Sequence, residues 1–408
     1  MTPAAEAPAA PVPPAAPPRA AGPATDPGPT VELCRDPDAF AALAGAWQRL
    51  FDRCHAATPF QHHAWLHSWW QSYGRPGRLR VVLVREAGEL VGAAPLTLVR
   101  HPFPALVPLG GALADHGDVL LDDARAAPAA SALARGIAGA ARGAVVDLRE
   151  VRPGAAAEQV YAAWSGPKRR LADSVCLELP AAPLEELVGR LARPRAQRVR
   201  AKLRKLDALG VRSRVVTAGE VPGALAALVA LHRLQWQGRK VTPEHLRPRF
   251  AAHLERAVVP MVRSGHAAVT EFRLDGEVVA VDVTLLAPGF AGAYLYGAHP
   301  GLRERKADVA TMLLRSGARL PTRDGTGGPG VLSLLRGDEP YKHHWRPTPV
   351  VNQRLLLARR RGAPWLTTAL ADAGARELVR RVRRAHRERA GARDGTGGGG
   401  GAHDGGGA

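Results

Sequence analysis

Two stretches far apart in the chain repeat one local pattern, R-E-A-G-E-L-V-G-A from Arg85 and R-L-D-G-E-V-V-A-V from Arg273. Each gives a charge, a turn glycine and an apolar strand in the same order, and each follows a Trp-bearing segment of helical spacing. In the first, Val81 to Val84 runs up to Ala87 and Gly88, and Leu90 to Val99 runs back. In the second, Ala267 to Leu274 leads into Asp275 and Gly276, a pair suited to the positive φ of a two-residue turn, and Glu277 to Leu286 returns. Val279, Val281 and Val283 alternate there with Ala280, Asp282 and Thr284, so the return strand has an apolar face. A duplicated unit of helices and a hairpin accounts for both, and 408 residues suffice to bury two cores. The expected class is α/β (α+β), in two tandem lobes, residues 31–179 and 180–362.

Phe40, Leu43, Trp47 and Leu50 recur at helical spacing, and Trp65, Trp69 and Tyr73 continue an aromatic face in a second helix. Val145 to Leu148 reads as a buried strand. Leu184 to Leu209 reads as helix broken at Pro194, with Val199, Leu203 and Leu206 on one stripe and Arg195, Arg198, Arg200, Lys202, Arg204 and Lys205 around it. Residues 1–30, rich in Ala and Pro, are expected to be a disordered arm with no secretory h-region. Residues 363–390 read as a basic helix and 391–408 as a disordered Gly-rich tail. No apolar run reaches membrane-spanning length, and three dispersed cysteines fit a reduced, cytoplasmic protein. The 56 Lys and Arg against 37 Asp and Glu give a net charge of +19, which attracts any polyanion without choosing among them.

Three passages carry a family resemblance: T-P-F-Q-H-H-A-W-L-H-S-W-W-Q-S-Y-G (Thr58 to Gly74), L-H-R-L-Q-W-Q-G-R-K (Leu231 to Lys240) and L-L-R-G-D-E-P-Y-K-H-H-W (Leu334 to Trp345). Together they resemble the GNAT-like acyltransferases of the cellulose-biosynthesis (CelD) group, relatives of the FemAB peptidyltransferases. The resemblance implies two GNAT folds side by side, each a mixed, mainly antiparallel sheet flanked by helices, with the acyl-donor cleft in the second.

In the second passage, Leu225, Leu228, Val229, His232 and Trp236 share one helix face turned toward the sheet. His232 is a core histidine or a base, and Trp236 a substrate contact. In the third, Arg336, Asp338, Glu339, Tyr341 and Lys342 gather charge and a phenol in a short turn. They either serve the reaction, Asp338 and Tyr341 in catalysis with Arg336 and Lys342 on substrate, or lock the turn by charge-assisted hydrogen bonds. Acyl transfer needs a base for the acceptor and donors for the developing oxyanion. Asp282, mid-strand among apolar residues, is a candidate base whose pKa burial would raise. Tyr294 and Tyr296 alternate so as to share a face, and Tyr296 is assigned to the cleft.

The resemblance places the donor pyrophosphate after that strand, in H-P-G-L-R-E-R-K-A-D-V-A-T-M-L-L (His299 to Leu314). Asp308 is a suitable N-cap there, but Lys306, Ala307 and Asp308 stand where the family's glycine belongs. Arg303, Arg305 and Lys306 remain as anion contacts. No metal is expected.

The leading expectation is acyl transfer, with acetyl-CoA as donor, to an amine or hydroxyl of a sugar or cell-envelope precursor. A second reading takes aminoacyl-tRNA as donor, its phosphates on the basic helix. A third is a GNAT scaffold without catalysis that holds an anionic polymer or a peripheral membrane surface.

Overall fold

The computed structural model describes residues 28–235, 237, 243–320, 330–375 and 378. The first lobe opens with an edge strand, β1 (Thr30–Cys34), then α1 (Pro37–Ala42) and α2 (Ala44–Asp52), parted at Leu43, and α3 (His63–Tyr73). The first hairpin follows as β2 (Leu79–Glu86) and β3 (Glu89–Val99), then β4 (Ala105–Pro108), a short β5 (Leu120–Leu121), α4 (Ala126–Ala140), β6 (Val145–Val151), α5 (Ala157–Ala163) and β7 (Lys168–Pro180). The predicted basic helix forms in two pieces, α6 (Leu184–Gly189) and α7 (Arg193–Ala208), with Pro194 in the first turn of α7, where its missing N–H costs nothing.

The second lobe repeats the plan: edge strand β8 (Arg212–Val215), α8 (Val221–Gln235), α9 (Pro248–Arg263), the hairpin β9 (Ala267–Leu274) and β10 (Glu277–Ala287), then β11 (Phe290–Ala298), α10 (Gly301–Glu304), α11 (Val309–Gly317), β12 (Val331–Arg336) and β13 (Thr348–Leu357). Residues 363–375 are helical and seat Leu366 and Ala369 in a small core; residues 1–27 and most of the basic stretch beyond 375 lie outside the described residues.

All strands join one sheet in the order β1-β2-β3-β4-β6-β13-β7-β12-β11-β10-β9-β8, with β5 beside β3. From either edge the pairing runs antiparallel three times, parallel once (β4 with β6, β11 with β12) and antiparallel again, and the halves meet at β13–β7. This is the repetition expected from the two hairpins. The chain nevertheless exchanges strands between halves. β13, from the C-terminal segment, completes the first half, and β7 completes the second, so the sheet does not divide at residue 180. A strand pairs where its partner edge is open, whatever its place in sequence.

Helices α3 and α9 pack across the junction. Ser68 donates to the His253 carbonyl at 2.8 Å, the Trp65 and His253 rings lie 4.7 Å apart, and one hydrophobic core spans both lobes. On β11, Gly297 lets α8 approach: a Cβ there would lie 2.4 Å from the Leu228 carbonyl oxygen and 2.7 Å from the His232 nitrogen.

Candidate active site

Strands β11 and β12 pair only over Phe290–Gly292 against Val331–Ser333 and then part. Among the described residues no strand covers the edge of the rest of β11, and α8 supplies what the ladder lacks: His232 Nδ1 donates to the Tyr296 carbonyl at 2.9 Å, and the Gln235 side-chain oxygen accepts from Ala298 N–H at 3.0 Å. A residue of an extended strand points its N–H and C=O to the same edge, so the Tyr296 N–H also faces the opening. On its other edge, β11 slips against β10 between Val283 and Thr284, leaving Tyr294 as the extra residue of a bulge.

That bulge corrects the expected alternation. Tyr294 turns into the core of the first lobe, its hydroxyl donating to the Leu113 carbonyl at 3.2 Å and its ring edge-on to Trp65 at 5.0 Å. Tyr296 keeps the opposite face, directly across from Asp282. The two tyrosines therefore do not share a face.

Asp282 is buried, at 4% exposure, between Tyr296 on β11 and Thr270 on β9, and it accepts a hydrogen bond from the Thr284 hydroxyl at 3.0 Å. Burial pushes its carboxyl up to about 7, with Thr284 opposing. Tyr341 lies near Tyr296; its phenol is raised by burial first and then by Tyr296 and Glu339. His232 is also buried, its pKa lowered by desolvation, and its Nδ1 is committed to the backbone of β11. Trp236 lies outside the described residues.

The Leu334–Trp345 turn divides between two tasks. Arg336 reaches into the first lobe, to the Asp115 carboxylate, to Glu150 at 3.3 Å and to the Ala112 carbonyl at 2.8 Å. Lys342 is buried and donates to the Arg336 carbonyl at 2.9 Å beside Glu339 at 2.8 Å. Both cations make contacts that hold the lobes and the turn, as the locking alternative has it. Asp338 sits in solvent against His343, and Tyr341 is 43% exposed. Bulges aim the lock from both sides: Glu150 in β6 and Leu335 in β12 take left-handed backbone, at φ 56° and 57°, a strain seen where position matters. Asn352 of β13 donates to Glu150 at 3.0 Å and to the Asp115 carbonyl at 3.2 Å, completing the network.

The donor loop departs from a phosphate cradle. Lys306 adopts φ 54°, the left-handed conformation that glycine favours. The N–H groups of Arg305, Lys306 and Ala307 bond to carbonyls within the loop. Asp308 caps α11 as expected, accepting from Thr311 N–H at 2.8 Å, and pairs with Lys202 of α7 at 2.7 Å. Burial pushes the Asp308 carboxyl up, but Lys202 and Thr311 outweigh it and hold it below its usual range. The helix N-terminus thus already carries an anion of its own. Arg305 pairs with Asp275 at 2.8 Å, and Arg303 is exposed. Expected anion contacts at Arg303, Arg305 and Lys306 therefore do not converge on a backbone cradle.

Residues 193–343, from α7 to the turn after β12, match the profile of a family described as an acetyltransferase (GNAT) domain. This segment is similar to a GNAT-type domain. It contains the splayed strands, Asp282, Tyr296, the donor loop and the Arg336 turn, and its strand exchange joins it to the first lobe. Among solved structures, FemX superimposes with a TM-score of 0.54 at 12% identity, over 78% of this chain and 97% of that one. A conserved protein of unknown function from Bacteroides thetaiotaomicron VPI-5482 gives 0.53 at 11% identity, over 81% and 100%. The C-terminal domain of a putative lysylphosphatidylglycerol synthetase from Agrobacterium fabrum gives 0.50 at 12%, over 82% and 96%. At such identities the likeness is one of fold, and it extends over both lobes. No curated protein matches the chain in sequence.

Asp115, Glu150, Asn352, Gln235 and Lys202 were not reached from the sequence as members of the site. Each acts on a partner from a distant segment, and nothing in its own neighbourhood announces that partner. Among the described residues, no group of three or more His, Cys, Asp or Glu is placed to hold a metal, and no helix is long and apolar enough to cross a membrane.

Proposed function

We propose that the protein transfers an acyl group, carried as an aminoacyl ester on tRNA, to an amine or hydroxyl of a sugar or cell-envelope precursor. The observation that carries the choice of donor is Asp308. A carboxylate bonded to the first turn of α11 and paired with Lys202 occupies the place of a coenzyme A pyrophosphate, and a second anion there would meet repulsion. The basic face of α7 is open instead: Arg195, Arg198, Arg200, Arg204 and Lys205 are exposed, and among the described residues none of them forms an ion pair. Such a face suits a phosphate backbone. One structural neighbour is named for lysylphosphatidylglycerol, an aminoacyl ester of a lipid, which is the same class of product. A tRNA donor would place the reaction in the cytoplasm.

In this reading the ester carbonyl lies at the open edge of β11, where the Tyr296 N–H stabilises the oxyanion. The acceptor attacks the carbonyl carbon and its proton passes toward Asp282, with Tyr296 between the carboxylate and the opening. The C–O bond to the ribose then breaks and the tRNA hydroxyl takes up a proton.

Acyl-CoA as donor is the second reading, favoured by the match to an acetyltransferase family. Equilibrium binding separates the two. Aminoacyl-tRNA is expected to bind with a steep salt dependence that flattens when Arg198, Arg200 and Arg204 are changed to Gln, and acetyl-CoA to give no heat at millimolar concentration. Saturable acetyl-CoA binding with no tRNA binding would reverse the choice; binding of tRNA with no acyl transfer to any acceptor would leave a scaffold.

A further inference from the structure

A cavity at the outer edge of the second lobe is left unused by acyl transfer. It opens between the end of α7, edge strand β8, β9 and the second half of α11, and encloses about 320 Å³. Its floor is apolar, built on the buried side chains of Leu206, Phe272 and Met312, and its rim carries Arg212, Arg315 and Arg319. A second opening of about 550 Å³ shares Arg212 and adds Arg214 and Arg273. The acids nearby are already engaged: Asp207 pairs with Arg315 at 2.5 Å, and Glu271 with Arg214 at 2.8 Å and Arg273 at 3.1 Å. Among the described residues, Arg212 and Arg319 form no ion pair. Two uncompensated guanidinium groups therefore stand over a greasy floor, a combination that a merely solvated basic face does not need.

Guanidinium forks match phosphate oxygens in geometry and charge. A pocket with apolar walls and a few converging polar groups is the usual form of a small-molecule site, and this volume lies at the lower end of that range. We propose that the cavity binds a small phosphate monoester bearing an aryl or alkyl group, its phosphate on Arg212 and Arg319 and its hydrocarbon on Leu206, Phe272 and Met312. The site lies beyond β9 and β10 from the open edge of β11, so it is separate from the acyl-transfer cleft and does not depend on that reading.

The test titrates the full chain with 1-naphthyl phosphate, followed by ligand fluorescence, with inorganic phosphate and 1-naphthol as the two halves of the ligand. The ester is expected to saturate one site and to bind at least about tenfold more tightly than either half. Changing both Arg212→Gln and Arg319→Gln should weaken it by about the same factor, an amount in keeping with loss of charge-assisted hydrogen bonds. Because both arginines are at the surface, the melting temperature should not move. Ser213→Trp, which plugs the mouth shared by the two openings and keeps every charge, should also remove binding. Vesicles of phosphatidylcholine doped with phosphatidic acid distinguish a lipid source from a soluble one: the protein should not sediment with them through Arg212 and Arg319. The proposal is overturned if the ester binds no better than its halves, if the variants bind it as the parent does, or if only the vesicles are bound.

Discussion

At the scale of single residues, Asp282 carries the clearest consequence. Its folded pKa is raised above the unfolded value, so ionising it in place at high pH costs stability, up to about 4 kcal/mol for a shift from the ordinary 3.8 of an aspartate to about 7. Asp282→Asn, which keeps the shape and removes the charge, should therefore raise the melting temperature at pH 8. It should also cut turnover by about 10² or more, the usual contribution of a positioned base. Loss of both stability and activity would mark Asp282 as structural. Turnover of the parent should rise with pH through a midpoint near 7, and Thr284→Val should move that midpoint upward by removing the hydroxyl that favours the carboxylate. The mid-strand place of Asp282 was legible from the sequence, its face left open between core and solvent. The turning away of Tyr294 was not, because a bulge is fixed by the register of two strands and has no single-residue mark here.

At the scale of elements, the splayed edge depends on α8 lying close to β11 and on the lock from Arg336. Gly297→Ala would press a methyl group against the backbone of α8, which has no rotamer to yield, and should cost about 1–3 kcal/mol by urea unfolding. Unchanged stability would mean that α8 adjusts freely. Arg336→Ala should cost about 3 kcal/mol or more, since it leaves Asp115 and Glu150 as close, partly buried carboxylates without their cation. Addition of Asp115→Asn and Glu150→Gln should recover part of that loss. Both hairpins, the split basic helix and the cap at Asp308 were legible because periodicity and capping are local. The lock was only half legible: the turn displayed Arg336, but its partners come from β6 and a loop of the other lobe, joined only by the fold.

At the scale of the whole molecule, buried histidines are held neutral, and three of them, His62, His116 and His253, lie where the lobes meet. Burial lowers His62, His116 and His253 to about 3 and His63 to about 4. Their folded pKa values lie below the unfolded value near 6.5, so their contribution to stability is complete above pH 6.5. As pH falls below it, the unfolded chain takes up protons that the folded one refuses, at about 1.4 kcal/mol per histidine per pH unit. Asp282 and Asp118, both raised to about 7 by burial, oppose this by holding protons in the folded state, but they are two against four. The urea midpoint should fall steadily from pH 6.5 to 5; a flat or rising midpoint would show these histidines to be solvated. The duplication of the lobes was visible in the paired hairpins, whereas the exchange of β7 and β13 was not, since either strand has the composition to close either half.

Single-turnover transfer measures the central claim most directly. The protein, in excess, is mixed in parallel with tRNA carrying a labelled amino acid and with labelled acetyl-CoA, each with an extract of cell-envelope precursors as acceptor. The expected result is discharge of the aminoacyl ester into an acceptor, abolished by Asp282→Asn, with no release of free coenzyme A thiol. Release of the thiol at a rate that depends on Asp282, with the aminoacyl-tRNA left intact, would contradict it.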